Sequence, residues 1–176
     1  MKKKFLAVFA ALFVFGTAGS FAFDWSQCWC NYGGGIEQGD FILHVDTGLG
    51  KWMGQDRDWA VPYVEVGLNY AGFIWKLPFT FGGYVGSDVR GYHDDLFARL
   101  FTGGDIAYHI QLPPEIIDLY AGNRVGVVIY MGDYDHNWDW TFDFYAGANF
   151  FFTDSFGLNV EAGSFNWLRA GLSFKF

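Results

Sequence analysis

The chain has 176 residues, 22% of them aromatic and only 17% charged, with 24 glycines and a net charge of −8. That acidic balance excludes the basic footprint of a nucleic-acid binder, and the length suits one domain after any leader. Past the first two dozen residues, no run approaches the roughly eighteen apolar residues of a spanning helix, so a membrane crossing would have to be made by strands.

Met1 to Lys4 is basic, Phe5 to Phe15 is continuously apolar, and Ser20-Phe21-Ala22 offers a small-x-small cleavage site before Phe23. The apolar core is short for a spanning helix and right for an export leader, so residues 1–22 read as a signal peptide. Its removal takes away three lysines and no acid, moving the net charge from −8 to −11. Such a chain repels anionic headgroups on average. Residues 23–37 read as a periplasmic N-terminal segment, closed by Gly33-Gly34-Gly35. It holds both cysteines, Cys28 and Cys30. A bridge across one intervening residue would be strained. Cys28 lies too far past the apolar core for a lipid anchor, and two thiols without a nearby histidine make a poor metal site.

From residue 38 to 176 the apolar residues recur with period two, the spacing of strands with one apolar face. Phe41, Leu43, Val45 and Thr47 alternate with Ile42, His44, Asp46 and Gly48. Val64, Val66, Leu68 and Tyr70 alternate with Tyr63, Glu65, Gly67 and Asn69. The same holds for Phe73 to Phe81, for Leu96 to Leu112, for Ile117 to Ile129, for Trp140 to Phe150, for Phe156 to Ala162 and for Leu168 to Phe176. Tight turns are predicted near Ala71-Gly72, Pro113-Pro114-Glu115 and Thr153-Asp154. Longer connections are predicted at Lys51 to Trp59, Gly86 to Asp95 and Gly132 to Asn137, with a short last one around Phe165-Asn166. Pro78 would then sit mid-strand, where a ladder donor is missing, and predicts a bulge there. Asn123 and Ser164 break the apolar face near expected strand ends or kinks. The fold class is all-β, a transmembrane antiparallel up-and-down barrel of eight strands.

The polar parity decides which face is inside. It carries Asp46, Glu65, Asp105, Asp118, Asp143 and Glu161 against Lys76, Arg99, Arg124, Arg169 and Lys175. A narrow dry lumen needs such balance, whereas a solvated surface does not. Asp46, Glu65, Lys76, Arg99, Asp105, Arg124, Asp143, Glu161 and Arg169 are therefore expected to form an ion-pair network in the lumen, with interleaved glycines leaving room for long arginines. The competing architecture is a soluble periplasmic barrel whose apolar parity lines a ligand cavity.

The chain stops on Arg169-Ala170-Gly171-Leu172-Ser173-Phe174-Lys175-Phe176. The spacing of Arg169, Gly171, Phe174 and Phe176 resembles the C-terminal assembly signal of bacterial outer-membrane barrels. That resemblance implies recognition by the barrel assembly machinery. Leader, strands, charged lumen and aromatic terminus together resemble the small eight-stranded outer-membrane proteins of the W, X and A-barrel type. The resemblance implies a monomer in the bacterial outer membrane, surrounded by its lipid, with outer loops free to meet an extracellular partner. A lumen this charged fits the plugged X and A types better than the W type, which is associated with passage of small hydrophobic compounds.

No catalytic or metal site is expected, and no cofactor. Asp133, Asp135, Asn137 and Asp139 begin like a calcium loop, but Trp138 and Phe144 stand where its glycine and closing acid belong. Ser87, His93, Asp94 and Asp95 are the least unfavourable hydrolytic set, gathered in the second outer connection. The expected function is that of a non-enzymatic envelope protein with a structural or interaction role, or narrow passage of small solutes. The alternatives are a loop-borne lipid-modifying hydrolase and the soluble ligand-binding barrel.

Overall fold

The computed structural model describes residues 30–48, 59–92, 95–112, 116–132, 137–164 and 168–176. The leader, Cys28, His93, Asp94, Asp133 and Asp135 lie outside these residues. Eight strands follow one another: β1 Phe41–Gly48, β2 Trp59–Ile74, β3 Leu77–Tyr92, β4 Asp95–Leu112, β5 Ile117–Met131, β6 Trp138–Phe151, β7 Phe156–Gly163 and β8 Arg169–Lys175. Each pairs antiparallel with its neighbours, and β8 returns to β1 with a register from Ile42↔Lys175 to Gly48↔Arg169. The sheet has no free side edge where β1 meets β8, which is what a barrel in lipid requires of its backbone.

The two parities separate as the sequence implies. Val64, Val66, Leu68 and Tyr70 of β2 are exposed, while Tyr63, Glu65 and Asn69 between them are buried. Trp138, Trp140, Phe142 and Phe144 of β6 lie outside and Thr141, Asp143 and Tyr145 inside. Charged and amide side chains thus fill the interior and apolar ones cover the exterior. This is a transmembrane barrel, and the soluble alternative with an apolar cavity is overturned by it.

Outer aromatics cluster at the end that carries both termini, as well as along the loop-end half of β6. Phe41 lies 5.3 Å from Tyr70 and 6.1 Å from Phe176, Phe79 lies 5.4 Å from Tyr108, and Phe156 lies 5.4 Å from Phe174, ring centre to ring centre. Phe174 and Phe176, read from the sequence as assembly signal, therefore also form part of an aromatic girdle. Gly171 has a lumen role besides. A Cβ there would collide with the Asp46 carboxylate and the Val45 carbonyl.

Four expectations need correction. The first turn is Trp75-Lys76, not Ala71-Gly72, because β2 continues to Ile74 and pairs with β3 from Ile74↔Leu77 onward. Gly72 is a strand residue whose missing side chain leaves space between the Tyr70 and Phe81 rings, each 3.4 Å from where a Cβ would sit. Pro78 is then the second residue of β3, beside the turn rather than mid-strand, where a proline costs no central ladder bond. The bulge falls instead between Val61 and Val64, at Pro62, and it turns Val61 outward. Gly86 to Asp95 is mostly strand, since β3 runs to Tyr92 and β4 starts at Asp95. Asn123 is also mid-strand, opposite Ile106 and Phe144.

The N-terminal segment does more than link. Tyr32 enters the barrel mouth and donates its hydroxyl toward the Gly72 and Phe79 carbonyls, both at 2.5 Å. Burial raises its pKa above the ordinary tyrosine range. Ile36 is buried with Tyr32, Ile42, Ala71 and Phe151. Gly33 and Gly34 lie flat on Ile117, Asp118 and Phe151, where a side chain would clash. This segment closes the terminal end of the barrel.

The described lumen glycines make room mainly for tyrosines, with Gly48 alone among them lying against an arginine, Arg169. Tyr63 crosses over Gly86, Tyr84 over Gly126, Tyr120 over Gly147 and Tyr145 over Gly122. Only a glycine lets each ring lie against the neighbouring strand. Gly126→Ala should destabilise the barrel by ~1–3 kcal/mol through overpacking, because its Cβ would press on the Tyr84 hydroxyl and the Thr102 carbonyl. Gly104→Ala, facing outward with its nearest neighbour 3.4 Å away, should change stability by less than ~0.5 kcal/mol. Urea unfolding of the lipid-inserted chain measures both.

Candidate functional site

The polar side chains of the lumen form three tiers. In the middle tier, β5 and β8 each send one arginine across the bore. Arg169 is 1% exposed, and Glu65 and Glu161 are each 2% exposed. Arg169 meets Glu65 at 2.9 Å and Asp143 at 3.5 Å, and it also pairs with Glu161. Arg124 meets Glu161 at 2.6 Å and Glu65 at 3.4 Å. Its guanidinium lies 4.1 Å from the centre of the Tyr145 ring. Two guanidiniums thus hold three carboxylates, with Tyr63 donating to Glu65 and Ser164 donating to Asp143 at 2.8 Å. Ser164 also accepts from the Phe144 amide at 3.1 Å, tying off the end of the β6–β7 pairing.

Toward the loop end, Arg99 pairs with Asp88, its Nε 3.0 Å from Oδ1, and its guanidinium lies 5.2 Å from the Phe101 ring centre. Tyr63, Tyr84, Phe101 and Val128 pack into an apolar layer beside the middle tier. Toward the terminal end, His109 Nδ1 lies 2.9 Å from both Asp118 oxygens, and its Nε2 lies 2.9 Å from the Thr80 hydroxyl. Asn149 donates to Asp118 at 2.9 Å and Ser173 donates to Asn149 at 3.0 Å. The ring of Tyr32 lies 5.4 Å from that of His109.

Of the nine residues expected in one network, Glu65, Arg124, Asp143, Glu161 and Arg169 come together. Arg99 is in the separate pair with Asp88. Asp105 takes hydrogen bonds of 2.9 Å from Asn69 and Tyr145 instead of an ion pair. Asp46 is buried in the lumen but has no ion-pair partner among the described residues. Lys76 is not in the lumen at all: the unexpected turn places it on the exposed outside of the terminal end. Asp118 is on the polar parity as expected, but its pairing with His109, like that of Asp88 with Arg99, is not legible without the strand register that brings these residues together.

The order Thr80–His109–Asp118 has the form of a hydroxyl–imidazole–carboxylate relay. It lacks access. Thr80, His109 and Asp118 are buried, and the lumen cavity that Thr80 and His109 border is about 20 Å³. That holds about one water molecule and no acyl substrate. A second void near Tyr63, Arg124 and Arg169 is about 10 Å³. The larger hollow, about 530 Å³, is an open recess at the terminal rim lined by Glu37, Asp40, Phe151 and Lys175 among others. The relay is best understood as packing that satisfies buried polar groups.

Of the hydrolytic set from the sequence, His93 and Asp94 lie outside the described residues, and only Ser87 has a described side chain. Ser87 is within β3, opposite Leu100 and sharing the outward parity of Val85. Asn137 and Asp139 of the third loop are exposed, and Asp139 accepts from the Trp140 amide at 2.7 Å.

No known protein-family profile matches the chain, and no curated protein matches its sequence. Among solved structures it is similar to Ail, the attachment invasion locus protein of Yersinia pestis, seen alone and with the heparin analogue sucrose octasulfate. Identity is 13% and 12%, coverage 80% of this chain and 100% of Ail in both, and TM-score 0.48 and 0.49. The outer membrane enzyme PagL is similar at 16% identity over 76% of this chain and 96% of its own, with a TM-score of 0.44. Likeness at this level transfers neither a ligand nor an activity.

Arg169→Ala should cost ~3–5 kcal/mol, because it strands buried carboxylates without a counter-charge. Arg169→Lys should recover only part of it, since one ammonium cannot reproduce the fork that reaches Glu65, Asp143 and Glu161. The temperature at which the folded band is lost on an unheated-versus-heated gel series orders the three chains.

Proposed function

We propose that this chain is a non-enzymatic protein of the bacterial outer membrane, a closed barrel with a structural role that presents its loops as an interaction surface. The supporting observation is the filled lumen. Arg124 and Arg169 cross the bore, and the lumen voids beside them are only about 20 and 10 Å³, which leaves little room for solute among the described residues. The apolar exterior, with aromatics at the terminal end and Trp138 and Trp140 at the loop end, suits a bilayer with headgroup boundaries at those two levels. Both termini then face the periplasm, and the loops face outward. The barrel acts as a monomer, since closure leaves no strand edge between β8 and β1 to be shared. Its C-terminal strand is presented to the assembly machinery through Phe174 and Phe176, whose outward rings are accessible until lipid covers them.

Solute passage would need the middle tier to exchange partners, and hydrolysis would need a nucleophile beside a base in the open. Ser87 shares the lipid-facing parity of Val85, away from buried His109. Wild-type protein in a planar bilayer should give no steady conductance. A stable ohmic current from the wild type would overturn the closed-barrel reading. Ser87→Ala should leave the membrane's lipid composition unchanged, and an altered acylation pattern would restore the hydrolase.

A further inference from the structure

The Trp75-Lys76 turn is built against the rules that govern such turns. A two-residue hairpin with both residues at positive φ is normally Asn-Gly or Asp-Gly, because most side chains avoid that conformation. Here φ is 50° at Trp75 and 70° at Lys76, the only non-glycine positive values among the described residues. Both side chains are exposed. Trp75, at 92%, is the most exposed of the large apolar residues. Lys76 has no hydrogen-bond or ion-pair partner among the described residues. The other described basic side chains are engaged: Arg99, Arg124 and Arg169 in ion pairs, Arg90 over Phe97, and Lys175 with Gly35 and Asp40. The turn also has a defined height. It lies just beyond Phe79 and Tyr108 of the aromatic girdle, where a barrel passes from acyl chains to headgroups.

An unfavourable backbone conformation held at an exposed site points to a function for its side chains. We propose that Trp75 and Lys76 form a binding site for the phosphate headgroup of an anionic phospholipid in the periplasmic leaflet. The indole would lie at the boundary between acyl chain and headgroup, and the ammonium would meet the phosphate. The neighbouring recess of the terminal rim carries Glu37, Asp40 and Asp154 with Lys175, and Lys175 is already engaged by Asp40 and the Gly35 carbonyl, so Lys76 is the described basic group there left to meet this lipid.

The test uses the full chain folded into vesicles of phosphatidylcholine alone or of phosphatidylcholine with phosphatidylglycerol, read by urea unfolding. Lys76→Gln should weaken the folded state about fivefold more in the anionic vesicles, the scale of one lysine at such a surface. The double variant Trp75→Asn/Lys76→Gly, which installs the favoured turn pair, should be more stable than wild type in phosphatidylcholine alone and lose that advantage in the anionic vesicles. A Lys76→Gln effect equal in both vesicles, or a double variant that gains equally in both, would overturn the proposal. The inference rests on the outer-membrane reading, whose separate failure would show as wild-type chain that inserts into neither vesicle.

Discussion

Two buried guanidiniums hold three buried carboxylates at the centre of this barrel, and the rest of the molecule keeps that arrangement dry and paired. Charge in a narrow lumen cannot be neutralised by water, so each member is stable only while its partners stay in register. Arg124 is fixed on β5, Arg169 on β8, and their acids on β2, β6 and β7. The network therefore ties together strands that are not neighbours in the sheet, which backbone ladders cannot do. Glu65 on β2 and Arg169 on β8 are separated by β1, and their contact braces the seam where the sheet closes.

Everything around the network serves its exclusion from water. Tyr63, Tyr84 and Phe101 pack beside it toward the loop end, Tyr120 and Tyr145 beside it toward the terminal end, and Tyr32 and Ile36 close the mouth beyond. The tyrosines reconcile two demands: their rings fill volume, and their hydroxyls donate to Glu65 and Asp105. Glycines on the adjacent strands are the cost of fitting them. The same physics runs in reverse outside, where lipid replaces water and apolar side chains need no partner.

The period-two pattern made the strand number, the two faces and the closing strand legible from residues alone, because parity is a local property. Arg169 and Glu161 could be placed in the lumen by the same reasoning. What parity does not contain is register. The Asp88–Arg99 and His109–Asp118 contacts need to know which residues sit opposite one another, and so do the tyrosine–glycine crossings. Turn chemistry misled at one point. Ala71-Gly72 has the composition of a turn, but β2 continues through it to Ile74, with Gly72 between the Tyr70 and Phe81 rings. Trp75-Lys76 has the composition of a strand, yet it makes the turn. Gly33-Gly34-Gly35 likewise looks like a linker and is instead the part of the mouth closure that must lie flat.

The account stands on the claim that apolar parity faces lipid and polar parity faces a sealed interior. Single cysteines at Val66, Gly67 and Leu68 of β2, on a background with Cys28 and Cys30 replaced by serine, test it directly. Gly67 tolerates a side chain, with no heavy atom nearer than 3.8 Å to its Cβ position. The account predicts that a lipid-soluble probe reaches positions 66 and 68 and that neither it nor an aqueous thiol reagent reaches 67. An aqueous reagent that labels 67 while the lipid probe misses 66 and 68 would contradict it.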